Sequence, residues 1–289
     1  MNYEIKNKFI KAKIKSFGAE LNSLQKIDDN LEYIWQGDSK YWARHSPILF
    51  PIVGRLKNDS YFYKNQKFNM SQHGFARDKE FEIINQSDDF IEFRLCSDEK
   101  SLEIYPFLFE LVLGYKLEKN SLIISYKVVN KSNDEMFFSI GAHPAFNWTL
   151  KDNEQKEDYF LEFENIKSAK RYFLNDLGLV YDSLDLNITD NKLFLNEELF
   201  KDDALVFNDT NIKNVTLKSI KNENFIKVNF EDFPYLGIWS KPSGAPFLCI
   251  EPWCGVADDI KTNQNFEEKN GILKLKKDEV FKASYSIEI

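Results

Sequence analysis

"FELVLGYKLEKNSLIISYKVVN", running from Phe109 to Asn130, decides the fold class. Its first arm places Phe109, Leu111, Leu113, Tyr115 and Leu117 on one side. Its second arm does the same with Leu122, Ile124, Tyr126 and Val128. A repeat of two is the signature of a half-buried strand. The four residues between the arms, "EKNS" (Glu118 to Ser121), carry turn chemistry, so the segment predicts an antiparallel hairpin. The same alternation recurs in "FIEFRLCS" (Phe90 to Ser97), "DYFLEFEN" (Asp158 to Asn165), "FIKVNF" (Phe225 to Phe230) and "FKASYSIEI" (Phe281 to Ile289). Helical patterning is scarce. Ser39 can cap a short helix in "SKYWARH" (Ser39 to His45), and "NEELFKDDA" (Asn196 to Ala204) offers a turn or two more. No internal repeat, low-complexity linker or Pro/Gly/Ser-rich break divides the chain. The expectation is a mainly β protein, one large antiparallel β-sandwich domain spanning residues 1–289.

Composition narrows the function classes. Aromatic residues make up 15% of the chain, with 26 Phe and 13 Tyr, which favours strands and offers planar surfaces to a ligand. The net charge of −8 comes with no long cationic run and argues against nucleic acid or an anionic membrane as partner. No stretch approaches the roughly 20 apolar residues of a membrane span, and the first residues lack a signal-peptide core. Cys96, Cys249 and Cys254 are too few for a disulfide scaffold and lack zinc-knuckle spacing, so reduced thiols and a cytoplasmic location are expected. No phosphate-cradling glycine loop is present.

Four stretches depart from the strand pattern and gather ionisable and aromatic residues: "RHSPILFPIVGRLKND" (Arg44 to Asp59), "SQHGFARD" (Ser71 to Asp78), "FFSIGAHPAFNW" (Phe137 to Trp148) and "FLCIEPWCGVADD" (Phe247 to Asp259). His143 and Glu251 share a local design, in which an apolar run leads to an ionisable residue, then proline. Proline biases the preceding residue toward extended backbone, so both are expected at strand ends, sheltered by apolar neighbours. Desolvation raises a glutamate toward a useful base, and a histidine titrates where an acid is needed. Taken alone, His143 is open to three readings: packed side chain, metal ligand or proton donor. The loop setting of His73 and His143 between Gly and Pro residues favours function for both, although spacing alone leaves them near even, and His45 reads as structural. Arg55 offers a fixed fork of donors for hydroxyl groups. Three scattered histidines without paired spacing make a weak metal signal, and no metal is expected.

"PILFPIVGRL", "QHGFARD", "GAHPAFNW" and "EPWCGVADD", in that order, resemble the aldose 1-epimerase (galactose mutarotase) superfamily, with closest likeness to its LacX-type bacterial branch. The resemblance implies a large antiparallel β-sandwich of the galactose mutarotase type, no cofactor, and a sugar bound in a cleft on one sheet. It implies Glu251 as general base, His143 as general acid, and His73 and Arg55 as sugar contacts. It also implies a substrate-binding aspartate from "DDALVFND" (Asp202 to Asp209), for which Asp203 is the candidate. Family members acting on free galactose carry asparagine before the arginine, where this chain has Gly54. Trp253 or Phe75 would stack on a sugar face. A rival inside the superfamily is a hexose-6-phosphate epimerase, in which Arg77 and Arg44 would clamp the phosphate. Rivals of other classes are a non-catalytic carbohydrate-binding or sensing module and a metal-dependent sandwich enzyme. The implied partner is a small-molecule sugar or sugar phosphate, with the protein a monomer or homodimer.

Overall fold

A computed structural model describes residues 1–164, 168–187, 189–208 and 212–289. Asn165 and Asp209, which end two of the stretches quoted above, fall outside them. The Phe109–Glu118 and Ser121–Asn130 strands form the expected hairpin, in register from Ser121 opposite Glu118 to Asn130 opposite Phe109. It sits inside a nine-stranded antiparallel sheet ordered Lys192–Phe194, Tyr159–Phe163, Asn214–Ser219, Phe225–Asn229, Val280–Glu288, Ser121–Asn130, Phe109–Glu118, Phe90–Cys96, Glu82–Gln86. A second large sheet runs Val180–Asn187, Ser168–Leu174, Leu205–Asn208, Tyr235–Trp239, Phe247–Cys254, Ile140–Ala142, Ile48–Leu49, with Ala145–Asn147 also paired to Phe247–Cys254. The chain is thus the mainly β, single-domain sandwich that its alternation predicts.

The alternation explains how the sheets share a core. Leu111, Leu113, Tyr115, Leu122, Ile124 and Tyr126 from the nine-stranded sheet join Leu205, Phe207, Leu236, Ile238, Leu248 and Ile250 from the other in one buried cluster. The intervening residues of the second sheet point to its opposite face. There Val206, Tyr235 and Trp253 belong to one smaller cluster, and Phe247 and Cys249 to another. This outer face carries the site.

Two local expectations are corrected. Residues 39–45 form turns rather than a helix; Trp35 Nε1 donates to the Trp42 carbonyl at 2.8 Å, and this tie to a buried ring outweighs a single cap. One helix unread in the sequence, Glu99–Ile104, starts at Asp98, whose carboxylate accepts from the Ser101 amide in a reciprocal capping box. Among the described residues no helix is long and apolar enough to cross a membrane.

Candidate active site

The Phe247–Cys254 strand supplies the centre of the site. Glu251 lies inside this strand, opposite Gly237, and not at a strand end as its neighbouring proline suggests. Proline removes a ladder donor and belongs at edges or breaks. Here the neighbouring strand is itself broken. Ile140–Ala142 pairs with the 253–254 end and Ala145–Asn147 with the 247–249 end, leaving His143 and Pro144 in the gap. The gap turns His143 toward Glu251, and its Nε2 lies 3.2 Å from the Glu251 Oε2.

Both groups are buried, Glu251 to within 1% of complete. Burial, then the nearby charge of Asp203, holds the Glu251 carboxyl well above the usual carboxylate range. Burial, with the Arg77 cation adding to it, pushes the His143 imidazole down to about 3. Both shifts favour a neutral pair, with the proton on Glu251. Its proton-shifted form, carboxylate and imidazolium, holds the same number of protons.

A cavity of about 300 Å³ opens above the pair. Trp42 lies over the His143 ring at 4.9 Å, and Trp239 and His73 meet it edge-on at 5.7 and 5.5 Å. Trp253 forms another wall, its indole donating to the Ala142 carbonyl at 3.1 Å. It lies flat enough to pass only because Gly141 and Gly237 have no side chain; a Cβ there would stand 2.6 and 2.5 Å from its ring.

His73 is fixed by Gly54. The Gly54 N–H donates to Nδ1 at 3.1 Å, and the His73 N–H donates back to the Gly54 carbonyl at 2.9 Å. Nε2 therefore carries the proton, and His73 is a donor. Gly54 itself needs φ of +73° and stands where a Cβ would be 2.6 Å from Ala257; asparagine would not fit this close approach.

Arg77 reaches the cavity wall, donating from Nη2 to the Gln72 carbonyl at 2.6 Å. Burial and the neighbouring Arg44 push it down to about 10, so it stays a cation at neutral pH. Arg44 pairs with Asp78 at 2.8 Å. Asp203, at φ of +71°, lines the cavity and hydrogen-bonds Trp239; burial raises its carboxyl.

The structure therefore brings together Glu251, His143, His73, Arg77, Asp203 and Trp253. It sets Arg55 and Phe75 apart, in an adjoining depression. Arg55 is held in a bidentate pair with Asp59 at 2.8 and 2.9 Å, and Phe75 packs among Phe50, Tyr105 and Phe109. His45 lies beside Glu20, whose carboxylate accepts its backbone N–H at 2.7 Å. Trp42, Gln72 and Trp239 line the cavity without having been singled out by sequence. Only the strand parity of Gly237 and Trp239 signalled the last. Cys249 lies two residues before Glu251 on the same face, and one donor atom each from His143, Cys249 and Glu251 falls within 4.8 Å. Among the described residues these are the group able to hold a metal, although burial keeps the Cys249 thiol protonated.

A profile of aldose 1-epimerases matches residues 1–271. The chain belongs to the aldose 1-epimerase family. The plasmid-encoded protein LacX of Lactococcus lactis subsp. lactis is 34% identical over 298 residues, covering 100% of this chain and 99% of that protein. The crystal structure of a galactose mutarotase related enzyme from Lactobacillus acidophilus superposes with a TM-score of 0.96 at 38% identity, over 100% of this chain and 97% of that one. A galactose mutarotase-like protein from Lactobacillus casei gives 0.92 at 33%, over 100% and 99%. The aldose 1-epimerase assignment is thus to the LacX-type branch, and by type the chain is a carbohydrate epimerase.

Proposed function

We propose that this protein interconverts the α and β anomers of an aldohexose, with Glu251 and His143 exchanging its protons. The observation that carries the reading is their 3.2 Å contact at the base of the cavity. The two reacting oxygens of a pyranose, O1 and O5, are both bonded to C1, so one contiguous pair serves both. The Glu251 carboxylate takes the O1 proton while the His143 imidazolium protonates O5. The C1–O5 electron pair stays with O5, and C1=O1 forms. After rotation about C1–C2, O5 adds to the other face of the aldehyde and both protons return. Nothing is oxidised and no water is consumed. Ring opening leaves Glu251 protonated and His143 neutral, the state that burial favours. The cycle therefore starts from the less favoured proton-shifted form of the pair, and ring opening returns it to the resting neutral form. An acid and a base contribute about 10²–10⁴-fold each, enough to supply most of a modest acceleration.

His73 Nε2–H, Arg77 and Asp203 are assigned to the sugar hydroxyls, and Trp253 to an apolar sugar face. The position of Arg77 on the wall favours one second reading, a hexose 6-phosphate held by its guanidinium. Polarimetry from pure α-glucose, α-galactose and glucose 6-phosphate decides between them. Acceleration of a free sugar supports the first, and acceleration of the ester alone supports the second. A folded protein that binds sugar without accelerating any would be a binding module, and the mechanism would fall. The pH dependence is a further check. The pair gains a net proton only near the His143 value of about 3. On that basis kcat/KM should hold from neutrality down to about pH 5, where an ordinary histidine with pKa near 6.5 has already titrated. A midpoint near 6.5 would count against the buried pair.

A further inference from the structure

Behind the cavity wall lies a buried ion pair that the mechanism does not use. The Lys269 ammonium stands 3.3 Å from the Asp258 carboxylate, and both residues are buried. Lys269 follows the Phe266–Glu268 turn, which Phe266 anchors by packing on Tyr61 with ring centres 4.2 Å apart. Its ammonium also donates to the Val256 carbonyl. Lys269 therefore grips the chain on both sides of Ala257. That alanine presses on Gly54, and Val256, Ala257 and Gly54 all line the cavity.

Asp258 carries the grip across to the Gly54 segment. Its Oδ2 accepts the Lys57 N–H at 2.9 Å, and its own N–H donates to the Arg55 carbonyl at 2.9 Å. Gly54 in turn holds the His73 ring through Nδ1. His73 needs such holding, because its backbone φ of +67° is one that side chains rarely adopt. A buried ion pair is a weak source of stability, since desolvating both charges offsets much of their attraction. What this pair supplies is fixed position.

We infer that Lys269 and Asp258 are positioning residues, which set His73 for its contact with the sugar. The inference rests on the epimerase reading above, because that reading supplies the contact. Glu251 lies on the Phe247–Cys254 strand and His143 in the gap beside it, outside these ties. Loss of the pair therefore acts on sugar binding more than on turnover.

The test compares wild type with the neutral double variant Lys269→Met/Asp258→Asn and with Asp258→Asn alone. Leu113→Ala, which loses core packing in the nine-stranded sheet, is the control for lost stability. KM for the sugar that wild type anomerises best should rise about tenfold in both charge variants, with kcat within about threefold. The ring ¹⁵N signals of His73 should move from a single Nε2–H form toward a mixture of tautomers. Leu113→Ala should change neither readout. If a folded double variant keeps the wild-type KM and a single tautomer, or if Leu113→Ala raises KM as much, the pair is scaffold only and the assignment fails. Should the double variant not fold, Asp258→Asn, which keeps the side-chain shape, carries the same readouts. If neither folds, the pair is a folding requirement and the assignment fails as well. If wild type accelerates no sugar, the epimerase reading falls and this one with it.

Discussion

The two faces of the Phe247–Cys254 strand obey opposite rules. Leu248 and Ile250 enter the shared core among apolar neighbours. On the other face Glu251 is nearly as deeply buried as Ile250, yet its Oε2 has no well-formed hydrogen bond, and it faces a buried histidine. Burial of an apolar side chain stabilises the fold, whereas burial of a carboxyl opposes it and shifts its proton affinity. The difference teaches where the site's reactivity originates. The inner face provides the stability that lets the outer face hold an unfavourable arrangement.

That contrast is open to attack from both sides. The largest effect belongs to Glu251→Gln, which should lower kcat by about 10³-fold because it removes the proposed base while keeping the shape. It should not lower stability. The folded-state pKa of Glu251 is raised, so its contribution is full below the unfolded value near 4.5 and is lost as pH rises through the folded one. Melting of the variant should therefore equal or exceed wild type at neutral pH, with the gap widening upward. A loss of several degrees would break the comparison. Ile250→Ala should do the reverse, costing about 2–5 kcal/mol in denaturant unfolding while folded molecules keep near-normal kcat. Gly237→Ala forces a Cβ to within 2.5 Å of Trp253. It should cost about 1–3 kcal/mol by overpacking and reduce kcat/KM about tenfold through displacement of that wall. The smallest effects come from the arginines. Arg77→Ala should raise KM about tenfold, and Arg55→Ala, which breaks a half-exposed pair with Asp59, less than about twofold. Equal effects would return Arg55 to the sugar.

Much of this was legible in the sequence. Alternation gave the sandwich because its period is set by the chain itself, without reference to distant partners. Four stretches placed Glu251, His143, His73, Arg77 and Trp253 among the candidates, and the family resemblance added Asp203. What the sequence could not show was direction. Arg55 and Arg77 both follow an apolar segment and look equivalent as donors; only folding turns one guanidinium onto the Asp59 carboxylate and the other onto the Gln72 carbonyl. Trp42 is indistinguishable in sequence from a core tryptophan, because its role depends on His143, about a hundred residues away along the chain. Pro252 suggested a strand end, and the break proved to be in the neighbouring strand.

The central claim is that His143 and Glu251 act as one proton-exchanging unit. A double-mutant cycle on the anomerisation rate, using Glu251→Gln, His143→Asn and the combination, tests it most directly. If the pair is one unit, each single substitution should cost nearly as much kcat as the two together. Losses that multiply, or a single variant that keeps wild-type turnover, would contradict it.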